Sequence, residues 1–185
     1  MVINADKSGV DSTSINDSRI TKLGSILRKY KIDEIPNLLN ILKGEMSFVG
    51  PRPNVKRETD LYSQEEIQLL SVKPGITDFA SIVFSDEGEI LKNSINPNLD
   101  YNQLIRPWKS RLGIYYVNHQ HLVSDLYIIC LTFFSLFSRE NTLLNIHKYF
   151  LKKNVSSNLK EIVKRDSVLT PYPPPGMTKI VQSRV

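Results

Sequence analysis

The segment from Ser18 to Pro53 reads SRITKLGSILRKYKIDEIPNLLNILKGEMSFVGPRP. It decides how the rest of the chain is read. Ile20, Leu23, Leu27 and Tyr30, with Ile26 beside them, fall at helical spacing. Arg19, Lys22, Arg28 and Lys29 occupy the opposite face, and Asp17 or Ser18 is expected to cap the helix. Ile35, Leu38, Leu39 and Leu42 make a second amphipathic stripe. Pro36 is tolerated only in a first turn, so this second helix is expected to start near Asp33 and to stop at Gly44. Asp33 and Glu34 then stand at a helix N-terminus, where free N–H groups favour negative charge and also attract phosphate. Met46, Phe48 and Val49 form a short apolar alternation ended by Gly50-Pro51-Arg52-Pro53. Two prolines around one arginine restrict the backbone on both sides, so the fold aims Arg52.

Two adjacent carboxylates among fixed cations suit phosphate chemistry. An ionised Asp33 can attack phosphorus to form an acyl phosphate. Mg2+ held by the neighbouring Glu34 would neutralise substrate phosphates with few protein ligands. Arg28, five residues before Asp33, can meet a phosphate bidentately. The plainer reading of an Asp-Glu pair at a helix start is a cap with first-turn charge. Spacing alone does not separate the two.

The remaining segments surround this one. The chain has 185 residues, 41% hydrophobic and 23% charged, as in an ordinary globular protein. A net charge of +5 favours anionic partners. The lysines and arginines are scattered, which argues against nucleic acid. The one cysteine, Cys130, excludes an internal disulfide and reads as a small buried apolar residue. Residues 1–17 read as a polar segment, neither signal peptide nor anchor. SQEEIQLL at 63–70 reads as a short capped helix, and Ile76 to Phe84 as a strand rich in β-branched residues. Asp86 and Glu87 can approach a metal, but the plainer reading places them in a solvated turn. Tyr101 to Val117 has a helical pattern interrupted by Pro107 and Gly113. His121 to Ser138 is the most apolar segment, too short to span a bilayer, and is expected to be a core or interfacial helix. Leu143, Leu144, His147, Phe150 and Leu151 share a face beside Lys148, Lys152 and Lys153. That pattern suits a membrane surface and equally a helix packed on its own domain. From Asn154 the chain reads as a polar, mostly extended tail containing Tyr172-Pro173-Pro174-Pro175. The fold expected is mostly helical α+β. Amphipathic helices surround a small strand element, some lying at the membrane surface. The divisions are 1–17, a catalytic domain at 18–153, and a tail at 154–185.

The wording is more specific than the pattern. LRKYKIDEIPNLLNILKGEMSFVGPRP resembles the core signature of the bacterial sugar transferases, the monotopic phosphoglycosyl transferases also called undecaprenyl-phosphate sugar phosphotransferases. KPGITDFASIVF and YYVNHQHLVSDLYIICLTFF resemble that family's second and closing blocks, so the likeness runs from Asp17 to Arg139. The resemblance implies transfer of a sugar-phosphate from a UDP-sugar to polyprenyl phosphate, opening glycan assembly at the cytoplasmic face of the bacterial inner membrane. It implies a ping-pong course in which Asp33 takes up the sugar-phosphate and releases UMP, after which the lipid phosphate receives the group. Glu34 would bind Mg2+, Arg28 would meet a phosphate, and Pro51, Arg52 and Pro53 would contact the uridine nucleotide. Family members usually begin with an apolar membrane hairpin, and Met1 falls where the block after it would end. In this form the protein is expected to be peripheral, with self-association left open. Ser85 stands where a basic residue is common, and Gly113 where an Asp is usual. The competing reading is a non-catalytic remnant that binds a membrane surface or a partner.

Overall fold

The computed structural model describes residues 20–29 and 35–183. Helix α1 (Lys22–Lys29) is capped by Thr21, whose hydroxyl accepts from the Gly24 N–H at 3.0 Å. The cap therefore lies three residues beyond Ser18, because Thr21 is the last residue able to satisfy a first-turn N–H before the helix begins. Helix α2 spans Ile35–Leu42 and ends at Gly44, whose φ of +76° is the left-handed conformation expected of a C-terminal stop. Its apolar stripe is not covered by the described residues: Ile35, Leu38, Leu39 and Leu42 are all exposed.

Strands β1 (Ser47–Val49) and β2 (Gly75–Thr77) form a two-stranded parallel sheet, with Ser47 opposite Gly75 and Val49 opposite Thr77. The crossover between them carries α3 (Lys56–Thr59) and a 3-10 turn at Glu66–Ser71. That turn is the capped helix expected at 63–70. The Ser63 N–H donates to Glu66 at 3.0 Å, and the Glu66 N–H donates to the Ser63 hydroxyl at 3.2 Å.

The strand expected over Ile76 to Phe84 is only three residues long. Asp78 ends it and caps α4 (Phe79–Val83): its carboxylate accepts the Ser81 N–H at 2.7 Å while its own N–H donates to the Ser81 hydroxyl at 2.8 Å. This reciprocal cap outweighs the β-branched composition that follows it. Two short helices, α5 (Glu87–Ile90) and α6 (Pro97–Asp100), lead to a π-helical turn at Tyr101–Ile105 and then to α7 (Arg106–His119). Pro107 sits in the first turn of α7, where its missing N–H leaves the Gln103 carbonyl without the usual helical donor. The Tyr172 N–H fills that role at 3.0 Å.

Helices α8 (Leu122–Ser135), α9 (Arg139–Leu151) and α10 (Ser157–Ile162) complete the molecule. The core gathers Phe79 and Val83 of α4, Leu112 of α7, Ile128 of α8, Ile146 and Phe150 of α9, and Val163 just after α10. Phe79 meets the ring of Phe150 edge-on at 5.2 Å and stacks on Tyr149 at 5.4 Å, contacts worth about 0.5–1.5 kcal/mol each beyond burial. Within residues 154–183 a few side chains anchor the stretch to the core while most of the others are exposed. Leu159 and Val163 are buried, and Tyr172 lies over Trp108 at 4.4 Å. Arg111 donates to the Pro173 carbonyl at 2.9 Å, which ties the proline run to α7.

Helix α8 buries one narrow face, Ser124, Ile128 and Leu131. Leu122, Leu126, Phe133, Phe134 and Phe137 are exposed while Ile128 and Leu131 belong to the core, so the segment is a core helix on one side only. Cys130 shares the open side and is exposed, not buried, because β1, β2, α4 and α9 all pack on the opposite face. Among the described residues no helix is long and apolar enough to cross a membrane. Helix α9 buries Leu143, Ile146 and Phe150, leaving Leu144 and Leu151 outside.

Candidate active site

In a parallel pair both strands end at the same edge. Here β1 runs into Gly50-Pro51-Arg52-Pro53, and β2 into Asp78 and the N-terminus of α4. Hydrogen bonds tie the β1 exit to both ends of β2: the Gly50 N–H donates to the Thr77 carbonyl at 3.0 Å, and the Gly75 N–H to the Pro51 carbonyl at 3.1 Å. The approach is so close that a Cβ on Gly75 would lie 2.1 Å from the Gly50 nitrogen, and one on Gly50 would lie 2.6 Å from the Lys73 carbonyl oxygen. Helix α7 comes up from below. A Cβ on Gly113 would meet the Leu69 side chain at 2.7 Å and Pro51 at 3.8 Å, so the missing side chain lets α7 pack under the Pro-Arg-Pro loop.

These elements enclose a cavity of about 250 Å³. Pro51, Arg52 and Pro53 form one wall. Asp78 and Ser81 line it from α4, Tyr62 and Leu69 from the crossover, Tyr101 from the π-helical turn, and Arg106, Lys109 and Ser110 from α7. The last three recur at i, i+3 and i+4, so one face of α7 serves the cavity while Leu112, Tyr115 and Tyr116 serve the core.

The cavity floor is a buried ion pair with its hydrogen-bonding groups satisfied. Arg106 donates from Nε to Glu66 Oε1 at 2.9 Å and from Nη2 to Oε2 at 2.6 Å. Its other donors reach Asn102 at 2.9 Å and the Leu61 carbonyl at 2.6 Å. Ser110 adds a bond to Glu66 Oε1 at 2.6 Å. Arg106 is thus neutralised and structural. Lys109 is the cation that stays close to the cavity. Its ammonium pairs with Glu87 and lies 5.6 Å from the Tyr101 ring centre. Burial works against its charge, but Tyr101, Glu87 and Asp78 outweigh that and raise its pKa. Burial pushes the Tyr101 hydroxyl up to about 12, against the pull of Lys109. Burial also raises Asp78, opposed by its bonds from Ser81 and by the charge of Lys109. Loss of solvent is the leading cause of the shifts at Tyr101 and Asp78, and the influence that the neighbours of Lys109 overcome.

The expected site residues divide in two. Pro51, Arg52 and Pro53 are brought to the cavity, with Arg52 at its exposed rim. Asp33 and Glu34, and with them the expected metal ligand, lie outside the described residues. Arg28 belongs to α1, but its side chain is likewise outside what is described. Among the described residues no three His, Cys, Asp or Glu side chains gather as a metal cage. The acids at the cavity are engaged, Glu66 by Arg106, Glu87 by Lys109 and Asp78 by Ser81. A Mg2+ carried by one carboxylate and substrate phosphates needs no such cage.

Asp86 and Glu87 do not form a solvated turn. Asp86 lies between Arg139 and Arg165, each 3.0 Å away, and Arg139 also donates to Ser85 at 3.1 Å. The expectation failed because those partners come from α9 and from beyond α10. Tyr62, Asp78, Tyr101 and Lys109 were not singled out from sequence. The available signal was the i, i+3, i+4 spacing of Arg106, Lys109 and Ser110 opposite an apolar face, which by itself describes a solvated surface.

Residues 1–139 match the family model described as bacterial sugar transferase. EpsL of Bacillus subtilis (strain 168), named an uncharacterized sugar transferase, is 38% identical over 119 residues, covering 63% of this chain and 50% of that protein. A UDP-glucose:undecaprenyl-phosphate glucose-1-phosphate transferase of Caulobacter vibrioides is 38% identical over 100 residues, covering 50% of this chain and 38% of that protein. An undecaprenyl-phosphate galactose phosphotransferase of Salmonella typhimurium is 50% identical over 62 residues, 34% of this chain and 13% of that protein. The chain spans half the length or less of these curated relatives. A match over three quarters of its length, with the Pro-Arg-Pro loop inside it, makes this chain a member of the bacterial sugar transferase family.

Proposed function

We propose that the domain transfers a sugar-phosphate from a UDP-sugar to a polyprenyl phosphate through a covalent intermediate on Asp33. The observation that carries this reading is the cavity walled by Pro51, Arg52 and Pro53, with Lys109 beside it, at the edge where both strands end. The printed names of the relatives supply the substrate classes. A carboxylate oxygen of Asp33 attacks the sugar-bearing phosphorus. The Asp33 oxygen–phosphorus bond forms, the diphosphate bridge breaks, and UMP leaves with the electron pair. A phosphate oxygen of the lipid then attacks the same phosphorus and releases the Asp33 carboxylate.

Arg52 meets the diphosphate with charge-assisted hydrogen bonds. Its flanking prolines hold it in place, so little conformational freedom is lost on binding. Glu34 would hold Mg2+, which would offset phosphate charge where the carboxylate must approach. The exposed apolar faces of α2 and α8 rest at the cytoplasmic face of the membrane, where the lipid acceptor resides. The assay is UMP release from UDP-sugars with polyprenyl phosphate and Mg2+. Asp33→Asn should abolish release while leaving the fold intact. A variant releasing UMP at the parent rate overturns the assignment, and a parent inactive on a panel of UDP-sugars supports the non-catalytic reading.

A further inference from the structure

A second depression, a groove of about 690 Å³, lies between β1 and α8. Its lining is mostly apolar, with Phe48 and Val49 from β1 and Leu122, Leu126 and Ile129 from α8. Among the described lining residues there is one cation, Lys73, and one acid, Asp125. Asp125 is turned toward the protein, accepting the Tyr116 hydroxyl at 2.9 Å. Lys73 is exposed at the rim, its ammonium beside the α2–β1 turn, where a Cβ on Gly44 would lie 3.8 Å from Nζ. The groove lining ends at Ile129, but the apolar stripe continues beyond it. Leu122, Leu126, Ile129, Phe133 and Phe137 recur at four, three, four and four residues, which puts them on one face of α8 and its C-terminal turn, all exposed.

The groove and the cavity are neighbours. Val72 lines both, so the strap Val72-Lys73-Pro74 is their common wall. The Gly50–Gly75 approach clamps that strap against the Pro-Arg-Pro loop.

We propose that this groove binds the first isoprene units of a polyprenyl monophosphate, with Lys73 meeting its phosphate. The inference rests on the transferase reading and adds to it the place of the acceptor. A long apolar stripe with a single cation at one end complements a long apolar chain with a single anionic head. It does not suit a nucleotide or a charged peptide, which would leave polar groups unpaired against Phe48 and Leu126. The shared wall keeps the acceptor phosphate next to the donor cavity, where the second step of the transfer takes place.

The test is binding of farnesyl phosphate, below its aggregation threshold, to the full chain by calorimetry, with farnesol and inorganic phosphate as comparators. Farnesyl phosphate should bind about tenfold or more tightly than farnesol, and Lys73→Gln should remove that preference. Leu126→Glu should weaken binding about tenfold or more. Phe137→Glu, on the same stripe but beyond the groove, should change it by no more than about twofold. Leu126 is 55% exposed, so the substitution leaves folding intact, which circular dichroism verifies. Equal binding of farnesol and farnesyl phosphate by the parent overturns the proposal. So does equal weakening by Leu126→Glu and Phe137→Glu, which would signify general adhesion of an apolar face. UMP release by the parent is measured alongside. Its absence counts against the transferase reading, whereas the binding series alone decides the groove.

Discussion

Glu66→Ala tests the physical basis of the cavity floor. The Glu66 side chain is 0% exposed and that of Arg106 is 5% exposed. The carboxylate accepts from Arg106 Nε and Nη2, from Ser110 and from the Ser63 N–H. Truncation leaves a buried guanidinium with no counter-charge. It also strips the 3-10 turn of one half of its cap. Breaking a buried pair from one side costs about 3–5 kcal/mol, and the lost cap about 1 kcal/mol more. With a urea slope of about 2 kcal/mol per molar, the unfolding midpoint should fall by about 2–3 M. Urea titration followed by circular dichroism measures it. Replacing both partners, Glu66→Leu with Arg106→Leu, should cost much less than the sum of the two single changes, because no charge is then stranded. A Glu66→Ala cost under about 1 kcal/mol, or additive behaviour in the double variant, would refute the account of a desolvated ion pair.

Three further outcomes follow from other parts of the molecule. Burial raises the Asp78 pKa, so the folded state holds its proton more firmly than the unfolded state does. The carboxylate therefore lowers stability as pH rises above its ordinary value of 3.8, and it carries no such cost below that value. Asp78→Asn, which keeps a capping oxygen, should flatten that part of the stability–pH curve, whereas Asp78→Ala should lose about 1 kcal/mol of cap in thermal melts. Gly75→Ala should cost about 1–3 kcal/mol or more and reduce UDP-sugar turnover, because its Cβ would fall 2.1 Å from the Gly50 nitrogen and must part the start of β2 from the exit of β1. Leu159→Ala should cost about 2–5 kcal/mol in urea unfolding, a loss expected only if the C-terminal stretch belongs to the core.

The Ser18–Pro53 segment was legible where geometry is local. The α2 stop at Gly44, the β1 alternation and the rigid Pro-Arg-Pro exit each depend on a few adjacent residues. The capped turn at 63–70 was legible for the same reason. Ile76 to Phe84 was misread because composition suggested a strand, while a single reciprocal bond between Asp78 and Ser81 turned the chain into a helix. Cys130 was misread because apolar neighbours imply burial on average, but α8 has only one covered face.

By itself the sequence determined the family, the mostly helical α+β class, and the identity of the residues proposed to act on phosphate. Those features are carried by local propensity and by unbroken motifs. Only the tertiary structure decided which charges pair with one another and where those pairs sit. Arg106 is consumed by Glu66, 40 residues away, and Arg165 by Asp86, 79 residues away. Lys109 is kept beside the cavity. Pairing of this kind depends on which distant side chain arrives at a desolvated point, and no local pattern along the chain encodes that arrival.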